Sequence, residues 1–146
     1  MTPKKIKTEP SSKVLSRTRL NKVVLVDDSN VDLFINESIL KSISLTKEVN
    51  TSVEPEKYID QLQNAERLSD IPELIFLDLD MEDDCGFTFL DRFAELSDFI
   101  RNKCKIVIFS SSTKKDIMVR ALMHPSVIRY LVKPLDIAHL KDFIYS

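Results

Sequence analysis

Val23-Val24-Leu25-Val26-Asp27-Asp28-Ser29-Asn30 joins four consecutive apolar residues to two acids and two helix-capping residues. An apolar run without alternation marks a strand buried on both faces, and Ser or Asn just after it starts a helix. The pattern returns further along. Leu74-Ile75-Phe76-Leu77 runs into Asp78, with Asp80 two residues on, and Ile106-Val107-Ile108-Phe109 opens into Ser110-Ser111-Ser112-Thr113. Residues 128–132 form another strand, closed by Lys133-Pro134. Residues 49–53 are β-prone but polar and suit a sheet edge. Helices fill the intervals. Val31, Phe34, Ile35, Ile39 and Ile43 recur at helical spacing after the first strand. Pro55 suits a first helical turn, and Tyr58, Ile59, Leu62 and Leu68 continue that helix. Phe89, Leu90, Phe93, Leu96 and Ile100 mark a third helix, its stripe part of the core. Thr113 and Asp116 make a capping pair for a helix through Ile117, Ala121 and Leu122. Asp136 caps the last helix, which carries Ile137, Leu140 and Ile144. The alternation βαβαβαβαβα predicts an α/β, doubly wound parallel sheet with right-handed crossovers and helices on both faces.

Gly86 is the single glycine among 146 residues, where a usual share of ~7% would give about ten. A dinucleotide fingerprint, a Walker A loop and a flexible Gly/Ser linker are excluded. Residues 1–22 hold five Lys, two Arg and one Glu, so a chain of net charge −2 carries +6 there and −8 over its other 124 residues. An acidic body argues against a nucleic-acid groove. Residues 1–21 read as a basic, mobile arm, and 22–146 as a single domain with no output domain after it. Cys85 and Cys104 have neither a zinc nor a disulfide spacing, which suits the reducing cytoplasm. Cys85 reads as a neutral thiol, and His124 and His139 lie away from the acids. There is no signal-peptide h-region and no apolar run of membrane-spanning length.

An open parallel sheet binds ligands at the carboxyl ends of its strands. The strands deliver Asp27 and Asp28, then Asp78 and Asp80, then Ser110, then Lys133 to that edge. Clustered carboxylates call for a cation, and oxygen ligands select Mg²⁺ or Mn²⁺. Lys133 supplies a fixed positive charge and Ser110 a hydrogen-bond donor for phosphoryl oxygens. Asp78 is the natural nucleophile, since a carboxylate can form an aspartyl-phosphate. The set suits phosphoryl transfer, which asks mainly for positioning and charge neutralisation.

VVLVDDS, LIFLDLDMEDDCGF, IVIFSSS and YLVKP, in this order, resemble the response-regulator receiver domain of two-component signalling, of the single-domain chemotaxis-protein type. The resemblance covers residues 22–145. It implies a flavodoxin-like (βα)5 fold with strand order 2-1-3-4-5. It implies that Asp78 takes a phosphoryl group from a histidine kinase or a histidine phosphotransfer protein. Asp28 and Asp78 would hold the metal through carboxylates, Asp80 through its backbone carbonyl and Asp27 through a water. Ser110 and Tyr130 would be the switch pair, and Lys133 would contact a phosphoryl oxygen and precede a cis Pro134. The resemblance implies a signalling protein rather than an enzyme. It would bind a downstream protein through the face of its fourth helix, fifth strand and fifth helix, or pass the phosphoryl group on to a histidine. It leaves a homodimer open and implies neither direct nucleic-acid contact nor membrane insertion.

The chain departs from that family at Glu82, where proline is usual, and in the acidic loop Glu82-Asp83-Asp84. Asp80 and Ser112 stand at variable places flanking the phosphoryl group, where they would tune its lifetime. Gly86 is expected in a positive-φ turn into the third helix. Two alternatives use the same residues. One is a pseudo-receiver that keeps the fold without phosphorylation. The other is a haloacid-dehalogenase-like phosphatase, opposed by Glu82 and by an acidic pair that comes first in the chain.

Overall fold

A computed structural model of the chain describes residues 20–145. All but the last two residues of the expected arm lie outside the described residues, and Leu20 and Asn21 already belong to β1. The strands are β1 (Leu20–Val26), β2 (Thr46–Ser52), β3 (Leu74–Asp78), β4 (Lys105–Ser110) and β5 (Val127–Val132). The helices are α1 (Asn30–Ser42), α2 (Pro55–Gln63), α3 (Cys85–Ala94), α4 (Asp98–Lys103), α5 (Lys115–Leu122) and α6 (Ile137–Tyr145). The sheet runs β2-β1-β3-β4-β5, with every neighbouring pair parallel. This is the predicted order, with the polar β2 at one edge.

Strand residues alternate between two cores, as a period of two requires. Val24, Val26, Ile75, Leu77, Ile106 and Ile108 pack beneath α2 to α5, against Ile59, Phe89, Phe93, Ile100 and Ala121. Val23, Leu25, Leu74, Phe76, Val107 and Phe109 pack on the other face, against Leu33 and Leu40 of α1 and Leu140 of α6. Both faces of the sheet are sealed, which leaves its edges and strand ends open. No helix among the described residues is long and apolar enough to cross a membrane.

Four local expectations are corrected. In α1 the buried residues are Leu33, Asn36 and Leu40, whereas Val31, Phe34 and Ile35 are exposed. Leu68 does not continue α2 but sits exposed in a separate 3-10 turn, Leu68–Asp70. The predicted third helix is two helices, broken where Ser97 is extended. Arg101 stabilises the break by donating from Nε to the Leu96 carbonyl at 2.7 Å, and its guanidinium also pairs with Asp98. Finally, Thr113 and Asp116 form no capping pair. Lys114 is the N-cap residue of α5, and its backbone N–H donates to Ser112 Oγ at 3.2 Å. The other expected caps form: Ser29 accepts from Asp32 N, and Asp136 accepts from Ala138 N at 2.7 Å.

Candidate functional site

Parallel strands bring their carboxyl ends to one edge, and the register decides which residues meet there. Val26 lies beside Leu77, Asp78 beside Phe109 and Ser110 beside Val132. Asp27 therefore leaves the sheet next to Asp78, and Lys133 leaves it next to Ser110. The Lys133 backbone N–H donates to the Ser110 carbonyl at 2.8 Å, and the Lys133-Pro134 peptide is cis, as expected.

Asp78 and Asp27 are buried, while Asp28 is exposed at the mouth. Lys133 Nζ lies 2.9 Å from Asp78 Oδ1 and 3.1 Å from Asp80 Oδ2. The Asp80 N–H also donates to Asp78 Oδ1, at 2.8 Å. Burial favours the neutral form of Lys133, but its bonds to Asp78 and Asp80 outweigh this and hold the ammonium above its ordinary pKa. A lysine so placed is a fixed positive charge.

Asp27 is 0% exposed; its Oδ1 accepts from Ser29 N at 2.9 Å, and its Oδ2 has no hydrogen-bond partner. Desolvation pushes its carboxyl up to about 7 despite the Ser29 bond, and the neighbouring Asp78 charge adds to the effect. Asp27, Asp28 and Asp78 each offer a carboxylate oxygen, all within 4.8 Å of one another. An orphaned buried carboxylate oxygen inside an all-oxygen triad fits a hard divalent cation such as Mg²⁺.

Ser110 is buried, and its Oγ donates to Asp80 Oδ1 at 2.7 Å. The Ser111 N–H donates to Asp80 Oδ2 at 2.8 Å. Burial disfavours the Asp80 charge, but the bonds from Ser110, Ser111 and Lys133 prevail and hold its carboxyl below the ordinary range. The sequence suggested for Asp80 a backbone-carbonyl metal contact and a carboxylate flanking the phosphoryl group, but not its bonds to Ser110, Ser111 and Lys133. The Asp-Leu-Asp spacing was the available signal, because residues two apart leave a strand end on the same side. Tyr130 is buried, and its hydroxyl donates to the Ser112 carbonyl at 2.9 Å. That bond ties β5 to the loop following Ser110.

The acidic loop after Asp78 is a 3-10 turn, Glu82–Asp84, in which Asp83 and Asp84 take left-handed φ values of 57° and 59°. Gly86 does not adopt positive φ, against expectation. Its role is close approach: a Cβ there would lie 3.1 Å from both the Asp78 carbonyl oxygen and Leu79 Cα. Cys85 is half-buried, and burial followed by nearby acids pushes its thiol up, so it stays neutral. His124 pairs with Asp91 at 3.5 Å, apart from the acidic triad.

A family model described as the response regulator receiver domain matches residues 23–145. A response regulator receiver protein from Dyadobacter fermentans is 32% identical; the match covers 86% of this chain and 98% of that one, with a TM-score of 0.70. A two-component response regulator from Cytophaga hutchinsonii has the same fold at 24% identity, TM-score 0.74, over 86% and 95% of the two chains. So does a chain of the CheX-CheY-BeF3-Mg complex from Borrelia burgdorferi, at 21% identity, TM-score 0.68, over 85% and 86%. Among curated proteins, none matches the sequence.

Proposed function

Because the chain belongs to the response regulator receiver domain family, we propose that it accepts a phosphoryl group on Asp78 from a phosphohistidine. The donor would be a histidine kinase or a histidine phosphotransfer protein. The observation that carries this reading is the Lys133 ammonium held on Asp78 beside the carboxylates of Asp27 and Asp28. An Asp78 carboxylate oxygen forms the O–P bond while the N–P bond of the donor breaks, and the electron pair stays on the imidazole nitrogen. Bound Mg²⁺, held by Asp28 and Asp78 with Asp27 and the Asp80 carbonyl in support, would neutralise charge on the phosphoryl oxygens. Lys133 neutralises further charge, and Ser110 donates a hydrogen bond.

The chain acts as a signalling module rather than as an enzyme with turnover. The new dianionic group draws on Ser110, and the loop bonded to Tyr130 follows, so two packings of α5, β5 and α6 are populated differently. Val119, Leu122, Met123 and Val132 are exposed on α5 and β5 and the short connection between them, which supports a protein partner there. Beside the acidic mouth, α1 leaves Val31, Phe34 and Ile35 exposed, which supports contact with the phosphodonor. Incubation with acetyl phosphate and Mg²⁺, followed by intact-mass measurement, tests the reading. The expected result is a gain of one phosphoryl group that is lost in Asp78→Asn. No gain in the wild type, or an undiminished gain in the variant, contradicts it.

A further inference from the structure

We propose that the Asp80 carboxylate is an internal stand-in for the phosphoryl group, holding the phosphate anchors of the resting site until phosphorylation displaces it. The inference rests on the reading of Asp78 as phosphoacceptor, and it assigns the Asp80 side chain a task of its own. Both Asp80 oxygens are engaged. Oδ1 accepts from the Ser110 hydroxyl at 2.7 Å; Oδ2 accepts from the Ser111 N–H at 2.8 Å and meets Lys133 Nζ at 3.1 Å. These donors converge from β4 and β5 on one point beside Asp78, which Lys133 also touches. An anion placed on Asp78 needs the same donors.

The competition is stoichiometric. The Ser110 hydroxyl has one proton to donate, and so has the Ser111 amide, so neither can fully serve two anions. Like charges at this range also repel. Asp80 must therefore leave as the phosphoryl group arrives. It has somewhere to go, because its side chain is 28% exposed while that of Asp78 is only 4% exposed. In the resting site Ser110 is held on Asp80, and the loop behind it is bonded to Tyr130, until the phosphoryl group takes over the Ser110 hydroxyl. The cost of this order is slower entry of any anion. Asp80 is here a positioning residue, since it acts through Ser110, Ser111 and Lys133.

The test compares wild type, Asp80→Ala, Asp80→Asn and Glu82→Ala, each checked for folding by circular dichroism. Glu82 is exposed in the same loop, and its side chain is not among the groups that bond Ser110, Ser111 or Lys133, so its variant isolates the effect of removing charge. Two quantities are read: the rate of labelling by acetyl phosphate, and the affinity for inorganic phosphate by calorimetry, both with Mg²⁺. Asp80→Ala should label faster and bind phosphate tighter by about tenfold or more, the scale of one charge-assisted hydrogen bond. Asp80→Asn should fall between Asp80→Ala and wild type, and Glu82→Ala should stay within about twofold of wild type. If Asp80→Ala matches wild type or Glu82→Ala in both quantities, the inference fails while the phosphoacceptor reading stands. A change only in how fast the phosphoryl group is lost also overturns it, because Asp80 would then act on hydrolysis. If no protein labels, the phosphoacceptor reading fails and the stand-in role with it, and tighter phosphate binding by Asp80→Ala would then show only that Asp80 occupies an anion site.

Discussion

Asp27 and Gly86 set two limits on the site. Asp27 lacks a partner for Oδ2, and its carboxyl is pushed up to about 7, so near neutrality it holds a proton part of the time. A cation that draws on this carboxylate must displace that proton. Mg²⁺ affinity should therefore fall as pH drops through about 7 and level off above it. In the metal-free protein the sign is reversed. Between the ordinary value of 3.8 and about 7, the native state binds more protons than the unfolded one, so this group's penalty on stability shrinks as pH falls. Calorimetric Mg²⁺ titrations across that range check the first point, and Asp27→Asn should bind more weakly with little pH dependence. Gly86 packs against backbone, which cannot rotate out of the way as a flexible side chain can. Gly86→Ala should cost about 1–3 kcal/mol in urea unfolding, the usual scale of overpacking. The composition located this glycine beside the site but suggested the wrong reason for it. Aspartate tolerates left-handed φ better than most residues, so Asp83 and Asp84 make the turn themselves.

At the scale of elements, continuous apolar runs marked four of the five strands, and the polar β2 was legible only as a β-prone edge segment. Helix phase was harder. α1 carries apolar residues on every side; at about 100° per residue Val31 and Ile35 lie opposite Leu33 and Leu40, and Phe34 lies on the flank. Periodicity alone could not choose between these faces. The choice is made by the sheet, which takes Leu40 to 0% exposure and leaves Phe34 at 72%. Leu40→Ala should therefore cost about 2–5 kcal/mol, whereas Phe34→Ala should change stability by less than about 0.5 kcal/mol. Denaturant midpoints of the two variants decide this, and similar losses would refute the assignment. The split between α3 and α4 was illegible for a different reason. It depends on Arg101 reaching back to the Leu96 carbonyl, a contact that no periodic pattern announces.

Across the whole molecule, the candidate site exists only because parallel strands end together. Asp27, Asp78, Ser110 and Lys133 span more than a hundred positions, yet one sheet edge collects them. Their residue types and strand-end positions were readable, so the acidic triad and the Lys133 pair with Asp78 follow from the sequence once the strand order is known. What was not readable is how the side chains choose partners within the cluster. Asp80 lies close enough to engage Ser110, Ser111 and Lys133, and only coordinates reveal that it does. The central claim is that Asp78, and not a hydroxyl or a histidine, carries the phosphoryl group. The direct test is peptide mapping of protein labelled with acetyl phosphate and Mg²⁺, before and after hydroxylamine. The label should lie on the peptide containing Asp78 and be lost to hydroxylamine, as an acyl phosphate is. A hydroxylamine-resistant label on Ser110 or Ser111, or a label on His124 or His139, would contradict the account.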